Sequence, residues 1–187
     1  MKKIESIGVF AGGNSGENPA FVQDAYELGT LIAENGYQLV YGAGSAGLMG
    51  AVARGVMAKN GKIKAIATEH IFHNRLEDYG LAPEDALDFD DLLLTKNMDE
   101  RKNALYDNSD VFIILPGGFG TFDELFTLII KKYMKEVDKR IIMLNTERFW
   151  DIYVKIEDLL INSGLAKEIY KDMLEFVDTP EEALAVL

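Results

Sequence analysis

The chain has 187 residues, 48% of them hydrophobic, no cysteine and a formal net charge of -12. That length buries about 70% of the unfolded surface around one core, so a single domain over 1–187 is expected, without disulfides or thiolate metal sites. The acidic excess disfavours nucleic acid and anionic membranes as partners and requires any anion site to be local.

Taken in chain order, residues 7–10 form an apolar run that predicts a buried strand, followed by a small-residue loop over 11–16. Residues 20–35 place Phe21, Val22, Ala25, Leu28, Gly29 and Ile32 at helical spacing, and Gly36 stands where a left-handed cap belongs. A second strand at 39–41 runs into a glycine loop containing Gly42, Gly44, Ser45 and Gly47, then into a helix that Asn60-Gly61 ends. Residues 63–67 predict a third strand and 91–95 a weaker one. A helix beginning near Met98 leads to a strand at 111–115 and a second glycine loop with Gly117, Gly118, Gly120 and Thr121. The helix after that loop ends in a surface patch with Lys131, Lys132, Tyr133 and Met134. A strand at 141–144, a helix at 150–161 closed by Ser163-Gly164, and a short strand at 175–177 complete the pattern.

This alternation predicts an α/β fold, a Rossmann-like doubly wound parallel sheet with right-handed crossovers. Its C-terminal strand edge collects the loops 11–16, 42–47 and 116–121, where such sheets bind ligands. A strand that turns through glycines into a helix offers backbone N–H groups and the positive end of a helix dipole to a phosphate. Of the guanidinium groups available for anion recognition, Arg54, Arg75, Arg101, Arg140 and Arg148, the pair Arg101-Lys102 lies nearest the expected ligand edge.

Gly42-x-Gly44-x-x-Gly47 with Glu69 beyond it matches a dinucleotide fingerprint, but it follows the second strand instead of the first. No Gly-Lys-Ser/Thr follows either loop, which argues against a P-loop NTPase. His70 and His73 lack a clustered third ligand and read as surface residues, so no metal is expected. Phe149, Trp150 and Tyr153 read as core or interface aromatics. Thr121-x-x-Glu124 has two local readings, a helix capping box or a carboxylate placed near a phosphate for catalysis. Asp123 reads as a first-turn acid favoured by the helix dipole.

The segment PGGFGTFDE at 116–124 resembles the PGGxGTxxE signature of the LOG (Lonely guy) family, the cytokinin riboside 5'-monophosphate phosphoribohydrolases. The segment YGAGSAGLMG at 41–50 is similar to that family's YGGGxxGLMG loop, and MDERK at 98–102 to its MxxRK segment. Ala43 stands where the family has glycine, residues 11–16 replace a CGSSxG-like loop, and Ala67-Thr68 replaces an Ile-Pro pair. The resemblance implies hydrolysis of the N-glycosidic bond of a purine nucleoside 5'-monophosphate such as AMP, giving free base and ribose 5-phosphate. It further implies Arg101 and Glu124 as catalytic residues, with Gly42, Gly44, Ser45, Gly47, Met98, Lys102, Gly117, Gly118, Gly120 and Thr121 binding substrate. The segment 68–90 is expected to form part of the rim, where base specificity is set. A homodimer is implied, with no cofactor, no metal, no nucleic acid and no membrane. The first residues carry no secretory pattern and the apolar runs are too short to span a bilayer, which predicts a cytoplasmic protein. The lysine decarboxylase label that some relatives carry finds no nominee for a Schiff-base lysine. The rival reading is a nucleotide-binding or carrier module of the same fold that breaks no bond.

Overall fold

The computed structural model describes residues 3–72, 89 and 91–187. In chain order the elements are β1 (Ser6–Phe10), α1 (Pro19–Glu34), β2 (Gln38–Tyr41), α2 (Gly47–Ala58), β3 (Lys62–Thr68), β4 (Asp91–Thr95), α3 (Met98–Asn108), β5 (Val111–Ile114), α4 (Phe119–Tyr133), β6 (Ile141–Leu144), α5 (Asp151–Asn162), β7 (Glu175–Val177) and α6 (Pro180–Ala185). The strands form one parallel sheet in the order β4-β3-β2-β1-β5-β6-β7. The expected Rossmann-like architecture is therefore present, with both weaker strands at its edges.

Each face of the sheet is covered. Ile7 and Val9 of β1 pack with Leu28 and Ile32 of α1 and Val52 of α2, whereas Phe10, Phe112 and Ile114 pack with Leu105 of α3, Leu125 and Leu128 of α4, and Trp150. The central strands β1, β5 and β6 are buried along their length. This is why they read as unbroken apolar runs.

Local signals set the element ends. The Asn18 side chain accepts from Ala20 N at 3.0 Å ahead of Pro19, and Gly36 ends α1 at φ +78°. Asn60 and Gly164 close α2 and α5 in the left-handed region. The order of strands reverses beside β1, which pairs with β2 on one side and β5 on the other. Exit loops on either side of that reversal diverge and leave a crevice. No helix among the described residues is long and apolar enough to cross a membrane.

Candidate active site

The loops at the C-terminal edge enclose a cavity of about 650 Å³. Its wall includes Gly42, Gly44, Ser45, Met98, Arg101, Gly117, Gly118, Gly120, Thr121 and Glu124, drawn from three separate segments of chain. Two residues expected to bind substrate, Gly47 and Lys102, stand outside the wall. Gly47 has φ +57° and a Cβ there would fall on the backbone of Gly13 and Asn14, so glycine lets the two loops pack closely. The Lys102 ammonium is turned to Asp123, at 3.1 Å.

The two glycine loops differ in what they offer an anion. At the start of α2, Leu48 N and Met49 N donate to Gly12 O at 2.9 and 3.2 Å, so these donors are already engaged. The loop itself serves as an acceptor: Gly42 O takes a hydrogen bond from Arg101 and Ser45 O one from Arg54. Ala43 is held at φ 62°, a conformation that disfavours a residue with a Cβ by about 1–2 kcal/mol. In contrast, α4 starts at Phe119 with Gly118 as its N-cap. The N–H groups of Phe119, Gly120 and Thr121 have no intrahelical acceptor and lie at the positive end of the helix dipole. The first-turn donors of α4 thus stay open where two of those of α2 are engaged.

This helix start corrects the capping-box reading of Thr121 and Glu124. Thr121 is the third helical residue, and no side chain caps α4. A capping arrangement does exist at α3, where Glu100 N donates to Asn97 Oδ1 at 2.9 Å and Lys96 N donates to Glu100 Oε2 at 3.1 Å.

Glu124 instead faces Arg101, Oε1 to Nη1 at 3.1 Å, with side chains 12% and 9% exposed. Arg101 also donates from Nε to Ile66 O at 3.1 Å and from Nη2 to Gly42 O at 3.2 Å. One guanidinium thereby joins β3, the loop after β2 and α4. A Cβ at position 42 would fall on that guanidinium, so glycine there leaves room for the pair. Burial pushes the Glu124 carboxyl above its ordinary range, the Arg101 charge pulls it back, and Asp123 adds a smaller upward push. Two of the five Arg101 N–H groups remain for the cavity. The arrangement is a preorganised carboxylate one turn from open helix N–H donors.

Other residues of the wall were read differently or only as part of a segment. Phe149, read as core or interface, lines the cavity with Phe21, their rings edge to face at 5.8 Å. The turn before Phe149 holds Glu147 and Arg148 at φ 53° and 60°, and Thr146 Oγ1 donates to Asp24 Oδ2 at 2.6 Å. Trp150 and Tyr153 lie in the core as expected. Ile71 and Phe72 line the cavity from the segment 68–90, whose residues 73–88 and 90, with His73 and Arg75 among them, lie outside the described residues. Glu69, the acid of the dinucleotide reading, is exposed and absent from the wall. Arg140 pairs with Glu175 and Arg148 with Asp151, which leaves Arg101 as the arginine of the cavity among the described residues. No lysine lines the cavity there, and no group of three potential metal ligands occurs among them.

A family model described as "Possible lysine decarboxylase" matches residues 49–187. A cytokinin riboside 5'-monophosphate phosphoribohydrolase of Mycobacterium tuberculosis is 34% identical over 160 residues, covering 86% of this chain and 81% of that protein. A probable cytokinin riboside 5'-monophosphate phosphoribohydrolase of Oryza sativa subsp. japonica is 29% identical over 178 residues, 95% of this chain and 76% of that one. Among solved structures, the molybdenum cofactor carrier protein of Chlamydomonas reinhardtii matches with TM-score 0.67 at 20% identity, over 98% of this chain and 96% of that one. The molybdenum cofactor binding protein of Rippkaea orientalis matches with TM-score 0.68 at 22% identity, over 100% and 96%. At that identity the structural likeness speaks for the fold alone.

Proposed function

The chain belongs to the family described as possible lysine decarboxylases, which takes in the LOG phosphoribohydrolases, and from that membership we propose that it hydrolyses the N-glycosidic bond of purine nucleoside 5'-monophosphates. The observation that carries this reading is the buried Glu124–Arg101 pair, one helical turn from the open N–H groups of α4. The 5'-phosphate rests on those donors, with Thr121 adding its hydroxyl. Glu124 then faces the ribose, where its negative charge stabilises an oxocarbenium-like C1' and takes the proton of the attacking water. Water oxygen bonds to C1' as the C1'–N9 bond breaks. The electron pair of that bond passes to the purine, which leaves after taking up a proton from solvent, while Glu124 returns the water's proton to solvent and the hydroxyl stays on ribose 5-phosphate. Arg101 holds the carboxylate in place and favours its ionised form against the effect of burial. The chemistry draws on no metal or redox cofactor. The same reading takes the protein as a homodimer, in keeping with the exposed apolar residues Phe126 and Ile130 on α4 and Met134 at its end.

The test is incubation with nucleoside monophosphates, nucleosides and nucleoside triphosphates, followed by chromatography for released base. AMP should turn over far faster than adenosine, which lacks the phosphate whose binding positions the bond. Equal turnover of the two removes the basis for the assignment. Glu124→Gln should slow hydrolysis on the order of a hundredfold or more while AMP still binds. Arg101→Lys should also be damaging, since an ammonium cannot reproduce a planar contact with three elements at once. A folded Glu124→Gln protein with near-normal turnover removes Glu124 from the chemistry, whereas a wild type that binds AMP and releases no base favours the carrier reading.

A further inference from the structure

Arg101 and Lys102 are consecutive on α3, and Glu124 and Asp123 are consecutive on α4, so the two helices meet through two adjacent ion pairs. The pairs differ in surroundings. Glu124 is enclosed, whereas the Asp123 side chain is 55% exposed and lines the cavity. Lys102 Nζ donates to both Asp123 oxygens, at 3.2 and 3.1 Å, while its own side chain is only 15% exposed. An ionised carboxylate has about four acceptor positions, so the pairing with Lys102 leaves capacity directed at the cavity.

Stability gives little reason for this pair, because exposed ion pairs contribute marginally. A helix-dipole role for Asp123 needs neither a fixed rotamer nor a place in the cavity wall. A largely buried lysine gripping both oxygens supplies a preorganised acceptor, the kind of group that reads hydroxyls. An acid on the ribose hydroxyls is a recurring solution in nucleotide sites of parallel sheets.

Resting on the reading that places the ribose at Glu124, we infer that Asp123, held by Lys102, accepts a hydrogen bond from the ribose 2'-hydroxyl and makes the site selective for ribonucleotides over 2'-deoxyribonucleotides. A hydrogen bond to a charged acceptor corresponds to about a tenfold to hundredfold difference in affinity. The experiment uses Glu124→Gln protein, so that turnover does not interfere, and measures AMP and 2'-deoxy-AMP binding by calorimetry with and without Asp123→Ala. AMP should bind the parent at least about tenfold more tightly than 2'-deoxy-AMP. Asp123→Ala should erase that preference by weakening AMP and leaving 2'-deoxy-AMP unchanged, and Lys102→Met should erase part of it.

Equal affinity of the parent for the two nucleotides, or an equal loss for both on Asp123→Ala, overturns the inference and leaves the proposed hydrolysis standing. A parent that binds neither overturns both. The ratio of kcat/KM for the two nucleotides, compared between otherwise wild-type protein and Asp123→Ala, gives the same discrimination if the double variant does not fold.

Discussion

Glu124 combines two demands that oppose each other, since enclosure favours its neutral form and hydrolysis needs its charged form. Its folded-state pKa is raised, with burial the leading cause and Arg101 working against it. The acid limb of kcat/KM should therefore lie above the ordinary glutamate value of about 4.3, with activity rising as pH increases through it. Stability runs the other way. A carboxyl whose folded pKa exceeds its unfolded one favours the native state below the unfolded pKa, and that contribution is lost as pH rises through the folded pKa. Glu124→Gln should thus gain stability relative to wild type at pH about 7 and little at pH about 4. Kinetic pH profiles and paired thermal melts check both; an acid limb in the ordinary range sinks the argument. At this scale the sequence was informative where residues of one site are contiguous, as in Gly117, Gly118, Thr121 and Glu124. It misled where the helix start was decisive, because Gly118 in extended backbone moves the N-cap three residues ahead of Thr121. Asp123 gained its meaning only from Lys102, which lies on another helix.

Elements were legible in proportion to their burial. The interior strands announced themselves as apolar runs, whereas β4 and β7 at the edges are only partly buried and gave weak signals. Contacts between elements were not legible. Gly29 fitted the apolar face of α1, yet its role depends on α2: a Cβ at Gly29 would fall on Val52 O, and one at Gly55 on Tyr26 O. The two helices approach backbone to backbone at this crossing. In an ordinary helix interior Gly→Ala gains about 1 kcal/mol. Gly29→Ala should instead lose about 1–3 kcal/mol through overpacking, and the midpoint should fall by roughly 2–4 °C per kcal/mol for a chain of this size. Urea and thermal denaturation measure this, and an unchanged or raised midpoint would show that the crossing has slack.

Across the whole molecule, the parallel sheet brings segments distant in sequence to one edge, and a net charge of -12 makes the α4 N-terminus a local exception to a repelling field. The loops at that edge meet at a single residue. Gly12 donates its N–H to Pro116 O at 3.0 Å and accepts at its carbonyl from Leu48 N and Met49 N. One residue's N–H and C=O thus link the exits of β1, β2 and β5. None of these three bonds breaks without disturbing the others, so the loops should open as one cooperative unit. Hydrogen–deuterium exchange should accordingly give the amides of Gly12, Leu48 and Met49 a common opening free energy. AMP seated on α4 should slow all three together, although the proposed phosphate contacts lie on other residues. Independent exchange rates at Gly12 and Leu48 would mean that the cradle is assembled from separately moving parts.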